Sequence, residues 1–162
     1  MRTLEERLGY TFRDRKRLEG ALYHSSYANE HRSLGINSNE RLEFLGDAVL
    51  GLVTADYLFR KHPDLPEGDL TRIRAALVCE GSLVQVAKSL DLGSYLKLGK
   101  GEAHGGGRAR PSIQADAVEA MLAAVYLDGG IGQARKLIHD LVLTDEKEKT
   151  AAGRDFKTAL QE

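Results

Sequence analysis

Tryptophan is absent from the 162 residues, and six tyrosines with four phenylalanines make only 6% aromatics. A core built from this chain rests on leucine, alanine, valine and isoleucine. Cysteine occurs once, at Cys79, which excludes an internal disulfide and a cysteine zinc cluster. The longest apolar run without a charge is far too short to span a membrane. The opening MRTLEERLGY is charged and lacks the apolar stretch of a secretory signal. A cytoplasmic protein with no membrane partner is the expectation. A strong charge bias is missing too: the formal net charge is −1, which alone argues neither for nor against nucleic acid. What is present is 42% hydrophobic residues, enough at this length for one domain with a core, or one domain and a tail.

The pattern is helical nearly throughout, and no strict alternation or hairpin dipeptide announces a sheet. Thr11, with Asp14 three residues on, reads as a helix start followed by Leu18, Ala21 and Leu22. Asn37, Ser38 and Asn39 offer capping oxygens before a long apolar segment that His62-Pro63 ends. Asp69 is expected to open another helix containing Ile73, Leu77 and Val78, and Gly81 and Gly93 punctuate the stretch beyond it. GKGEAHGGGRAR at 99–110 reads as a flexible basic loop. Pro111 suits the first turn of the next helix, Gly129-Gly130 closes it, and an amphipathic helix comes after it over roughly 131–143. The fold class is all-α. Residues 1–143 form the expected domain, TDEKEKTAAGR at 144–154 a polar linker, and DFKTALQE at 155–162 the start of a further unit.

Glu40, Glu43 and Asp47 stand at i, i+3 and i+7, so a helix stacks them on one face. Their neighbours Leu42, Phe44, Leu45, Ala48, Val49 and Leu50 make that helix apolar almost all round, so burial is expected. Gly46 in its middle costs about 1 kcal/mol relative to alanine, which points to another backbone passing close by. A second helix repeats the theme with Asp116 and Glu119 among Ile113, Ala115, Ala117, Val118, Ala120, Met121 and Leu122. Carboxylates crowded in low dielectric need basic partners, raised pKa values or a bound cation. Arg41 points off the Glu40 face, and no lysine or arginine lies between 112 and 128. A divalent cation is the economical answer, and all-oxygen ligands favour Mg²⁺ or Mn²⁺ over zinc. The five histidines show no HExxH or similar pairing. Glu40 and Asp116, near helix starts, are also explained as carboxylates meeting a helix dipole. That account fails for Glu43, Asp47 and Glu119, which are expected deeper in apolar surroundings. Setting five carboxylates aside leaves +4, and Arg13, Arg15, Lys16 and Arg17, then Arg72 and Arg74, then Arg108 and Arg110 offer clusters able to follow a phosphate backbone. Each cluster alone is better explained as a solvated helix face.

NERLEFLGDAVL at 39–50 and ADAVEA within SIQADAVEAMLAAVYLDGG at 112–130 resemble the two acidic motifs of the ribonuclease III family. LEERLGYTF at 4–12, HSSYANE at 24–30, EGDLTRIRAALV at 67–78 and LGKGE with GGR behind it extend the resemblance over nearly the whole chain. The resemblance implies an all-helical homodimer that cleaves double-stranded RNA with Mg²⁺, with Mn²⁺ able to substitute. It implies 5′-phosphate and 3′-hydroxyl products with short 3′ overhangs, and processing of rRNA precursors and other structured RNAs, mRNA and tRNA precursors among them. Carried over by position, Glu43, Asp47, Asp116 and Glu119 are the metal-site carboxylates, with Asp47 and Glu119 the most critical for turnover. Glu119 is the candidate to bridge two ions in a two-metal hydrolysis. Glu40 and Glu67 match auxiliary acidic positions near substrate or product, and Phe44 matches an aromatic plug that enters the partner subunit. DFKTALQE resembles the opening of the double-stranded RNA-binding domain that succeeds the linker in this family, so the natural protein is expected to continue past Glu162. Ser25, Gln114 and His104-Gly105 depart from the family's usual residues, and none touches the acidic set. Two rivals stand beside this reading: an all-α nucleotide pyrophosphohydrolase, which lacks the ERLEFLGD stretch, and a non-catalytic RNA-binding relative, expected to have lost the acids.

Overall fold

The computed structural model of the chain describes residues 3–144 and 147–148. Its helices are α1 (Leu4–Leu8), α2 (Arg15–Ala21), α3 (Ser25–Glu30), α4 (Glu40–Lys61), α5 (Glu67–Val78), α6 (Glu80–Leu90), α7 (Lys100–His104), α8 (Pro111–Gly129) and α9 (Ile131–Leu141). Among the described residues the one extended pairing is an isolated bridge between Tyr23 and Lys97, so the all-α expectation holds.

α8 is the axis around which the domain is built. Ala115, Ala117, Ala120, Ala123 and Ala124 keep it slim, and every residue from Ala117 to Val125 is buried. α2, α4, α6 and α9 pack around it. Leu50, Val53, Leu58, Val86, Leu90, Met121, Leu122 and Ile138 fill the space between, all of them at most 2% exposed. Each such aliphatic side chain removed from water contributes about 1.5–3 kcal/mol before chain entropy is counted. As expected, α8 starts on Pro111 and ends where Gly130 adopts φ 88°.

α4 differs from its expectation. α8 covers one side only, and Phe44, Leu52 and Phe59 are 79%, 61% and 72% exposed. The helix is apolar all round, but this chain supplies a neighbour for only part of its circumference.

Smaller corrections have local causes. The helix expected from Thr11 begins at Arg15, with Asp14 capping the amide of Lys16. The amides of Phe12, Arg13 and Asp14 are already bonded elsewhere, to Glu5 and twice to Asp128 at the end of α8. α5 starts at Glu67 behind Pro66, two residues before Asp69, which pairs with Arg72 in the first turn. Gly81 lies inside α6, and the break falls on the extended backbone of Cys79. The segment 99–110 is not the open basic loop expected. It holds α7 and a 3₁₀ turn at Gly107–Ala109. Its arginines are used internally: Arg110 pairs with Glu102, and Arg108 donates to the carbonyls of Gly93 (3.1 Å) and Leu96 (2.6 Å). The buried Gln114 adds a bond to the Arg108 carbonyl at 2.9 Å. Gly93 is required there, since a β-carbon would stand 2.8 Å from that same carbonyl oxygen.

Candidate metal centre between two crossed helices

α4 and α8 make the most extensive helix contact in the domain, and Gly46 is where they touch. A β-carbon at Gly46 would overlap the carbonyl oxygen of Glu119. The missing side chain lets the two backbones meet, as the sequence implied. That contact sets Glu43, one turn before Gly46, opposite Asp116 and Glu119, one turn apart on α8.

One carboxylate oxygen from each of Glu43, Asp116 and Glu119 lies within 4.8 Å of the others. Asp47, expected as a fourth ligand, is not among these converging oxygens and reaches the trio through Glu119, to which it is hydrogen-bonded. Burial is uneven. Glu119 is 8% exposed and Glu43 half-buried, whereas Asp116 and Asp47 are exposed. The expectation that Asp47 is buried is corrected: position 47 looks out past the seam on the uncovered side of α4.

The electrostatics arise from this packing. Burial, then the hydrogen bond and charge of Asp47, then Glu43 and Asp116, push the Glu119 carboxyl up to about 8. Burial and the charges of Asp116, Asp47 and Glu40 raise Glu43. Burial and Glu80 raise Asp116, against a lowering by His24. Like charges in a desolvated seam resist joint ionisation. Near neutral pH Glu119 therefore keeps its proton. A divalent cation would replace that proton and relieve all of these repulsions together. An all-carboxylate donor set with its oxygens this close fits a hard cation such as Mg²⁺ or Mn²⁺.

Glu40 opens α4, exposed, and reaches the cluster only through its charge on Glu43. Glu67 is the exposed first residue of α5, where it accepts a bond from the Thr71 hydroxyl at 3.1 Å. It is not among the converging carboxylates. Phe44 projects to solvent and, with Gly20, Leu42, Leu45 and Leu127, lines a surface hollow of about 940 Å³.

Sequence reasoning missed two neighbours of Asp116. Glu80 opens α6 and has no partner at helical spacing to announce it. His24 lies in the quoted HSSYANE stretch, but nothing in its spacing signals a role. Its Nδ1 accepts from the Ser26 amide at 3.1 Å. The Ser26 hydroxyl sits 2.7 Å from the same Nδ1.

The ribonuclease-III-like family model matches residues 14–146. Ribonuclease 3 of Caldanaerobacter subterraneus is 52% identical over 161 residues, covering 98% of this chain and 70% of that protein. Ribonuclease 3 of Listeria innocua is 47% identical over 164 residues, with the same two coverages. Among solved structures, the nuclease domain of ribonuclease III from Campylobacter jejuni superposes with a TM-score of 0.80 at 43% identity. That match covers 86% of this chain and 93% of that one, and that domain shows structural flexibility in a region involved in dimer formation. Fold and site together define an all-helical nuclease domain. The chain belongs to the ribonuclease III family and is an endoribonuclease.

Proposed function

We propose that this chain hydrolyses phosphodiester bonds of double-stranded RNA with Mg²⁺, leaving 5′-phosphate and 3′-hydroxyl ends with short 3′ overhangs. The observation that carries the reading is the convergence of Glu43, Asp116 and Glu119 across the α4–α8 crossing, with Asp47 bonded to Glu119. Glu43 and Asp116 would hold the cation from opposite helices, Glu119 would join them in its ionised form, and Asp47 would complete the set from the exposed side. A cation held there would supply an activated water and offset charge on the leaving 3′ oxygen. The exposed flank at Asp47 and Asp116 is the side open to a substrate as large as a duplex. Glu40 and Glu67 are assigned auxiliary roles near substrate or product. The targets proposed are rRNA precursors and other structured RNAs in the cytoplasm. Among the described residues no helix is long and apolar enough to cross a membrane.

The working unit is a symmetric homodimer. Phe44, Leu52 and Phe59 are exposed along α4, and Leu127 joins Phe44 in lining the hollow, which together offer an apolar face to a partner. Two-fold symmetry makes such a face self-complementary, so Phe44 enters the partner's copy of the hollow. It also supplies two sites for the two antiparallel strands of a duplex. Residues 144–154 keep their assignment as a linker and 155–162 as the opening of a double-stranded RNA-binding domain; apart from Thr144, Lys147 and Glu148, these lie outside the described residues. Family membership leaves the pyrophosphohydrolase reading without support. The intact acidic set speaks against a non-catalytic relative.

Glu119→Gln tests the site. The variant is expected to keep its helical spectrum and to bind duplex RNA in Ca²⁺, while cleavage in Mg²⁺ falls by more than about a hundredfold. Cleavage near the wild-type rate would remove Glu119 from the mechanism.

A further inference from the structure

Beyond α9 the chain is rich in charge, and nothing in TDEKEKTAAGR suggests attachment to a domain. Glu148 is nevertheless only 6% exposed. Its Oε2 accepts from the Tyr57 hydroxyl and from Lys61 Nζ, both at 2.7 Å. Its Oε1 accepts from His62 Nε2 at 2.8 Å. All three donors stand at the C-terminal end of α4, with Lys61 also bonded to the Tyr57 hydroxyl at 2.9 Å and the edge of His139 from α9 against the Tyr57 ring. Charge-assisted bonds of this kind are the strong ones. The backbone is tied as well: the Glu148 amide donates to the Thr144 carbonyl and the Lys147 amide to the Thr144 hydroxyl. Lys147 Nζ donates to the Leu141 carbonyl, one of the last in α9.

A carboxylate buried without partners would carry a large desolvation penalty, but this one meets three donors on two oxygens. Those donors come from a helix more than eighty positions back in the chain. The contact therefore closes the end of the domain like a clasp.

We infer that Glu148 is a latch that fastens the segment after α9 to the end of α4, beside Tyr57, Lys61 and His62. The consequence is geometric. A tether counted from Thr144 would start free at the end of α9. With the latch closed the chain is instead anchored four residues later, at a fixed point on the domain. The inference is independent of the chemistry proposed for the carboxylate cluster and stands if that chemistry fails.

Hydrogen exchange on the whole chain tests it. In the wild type the amides of Lys147 and Glu148 should exchange slowly, and trypsin should cut after Lys147 slowly. Glu148→Gln keeps the shape and removes the charge; it should speed both by at least ~10-fold while α8 amides keep their protection. Tyr57→Phe, which deletes one donor, should give a smaller acceleration at the same two amides. Unchanged exchange in Glu148→Gln would overturn the latch. So would a loss of protection that spreads into α8, because Glu148 would then be a strut of the core.

Discussion

α4 and α8 carry the same kind of sequence and meet different fates. Both are long, apolar on nearly every face and marked by carboxylates one turn apart. α8 is enclosed from Ala117 to Val125. α4 buries Val49, Leu50, Val53 and Leu58 but leaves Phe44, Leu52 and Phe59 to solvent. Alanine on α8 lets helices close in from several directions, whereas on α4 the bulky Phe44, Leu52 and Phe59 stand on a side that no other helix of the described residues covers, and the closest backbone approach is at Gly46. An all-round apolar helix thus has two outcomes, axis of a core or wall of an interface, and side-chain size helps to separate them. The carboxylate site lies where the two kinds of helix touch. It takes a buried acid from the axis, Glu119, and an exposed one from the wall, Asp47.

The sharpest way to break the contrast is Gly46→Ala. The new methyl meets backbone, which has nowhere to move unless the two helices part. Overpacking of this kind is expected to destabilise by about 3 kcal/mol or more, lowering the melting temperature by roughly 10 °C. Cleavage should be lost with it. Gly51→Ala on the same helix, where a β-carbon meets nothing within 4 Å, should be tolerated. Thermal scans of the pair decide the matter.

The buried acid gives the next effect. Unfolded, Glu119 titrates near its ordinary value of 4.5; folded, near 8. Between those values the folded state keeps a proton that the unfolded state has lost. Stability of the cation-free protein should therefore fall as pH rises through this window, by about 1.4 kcal/mol per pH unit at the steepest. Glu43 and Asp116, raised as well, act in the same direction. Asp128 and Glu148 are held low by their donors against burial, so their contribution is lost only as pH falls below the ordinary carboxylate range. Urea titrations at several pH values in a chelator should show the decline, and Glu119→Gln or saturating Mg²⁺ should flatten it. A flat profile in the metal-free wild type would contradict the repulsion described here.

The exposed face of α4 gives the third. Burial of Phe44 in the partner's hollow is worth roughly 1.5–3 kcal/mol per subunit. With two copies of that burial lost, Phe44→Ala should weaken the dimer by about a hundredfold or more by sedimentation and leave the monomer's melting curve little changed. A wild-type monomer at micromolar concentration, or an unchanged dimer constant in the variant, would show that the face has another purpose.

Much of the fold and site is legible in the sequence, and the reasons are specific. The spacing of Glu43 and Asp47 and of Asp116 and Glu119 implies two carboxylate helices, and the lone Gly46 implies a backbone passing close by; that this backbone is Glu119 of the second helix only the structure shows. Pro111, His62-Pro63 and Gly130 place helix ends because they act on the backbone locally. What escaped depended on distant partners. Asp128 takes the amides of Arg13 and Asp14 and so delays α2. Arg108, Arg110 and Gln114 tie down a glycine-rich segment that composition alone reads as open. Glu80 and His24 approach Asp116 from other elements, and Glu148 crosses back to α4. No local pattern records such meetings.

The most direct test is to give the purified chain a long RNA duplex at low salt, with Mg²⁺ and with a chelator in its place. The duplex should be cut in Mg²⁺ only, with 5′-phosphate and 3′-hydroxyl termini and short 3′ overhangs, and should remain intact in chelator. Cutting that proceeds equally in chelator, or an intact duplex with Mg²⁺ and enzyme in excess, would contradict the assignment of the α4–α8 carboxylates as a metal-dependent nuclease site.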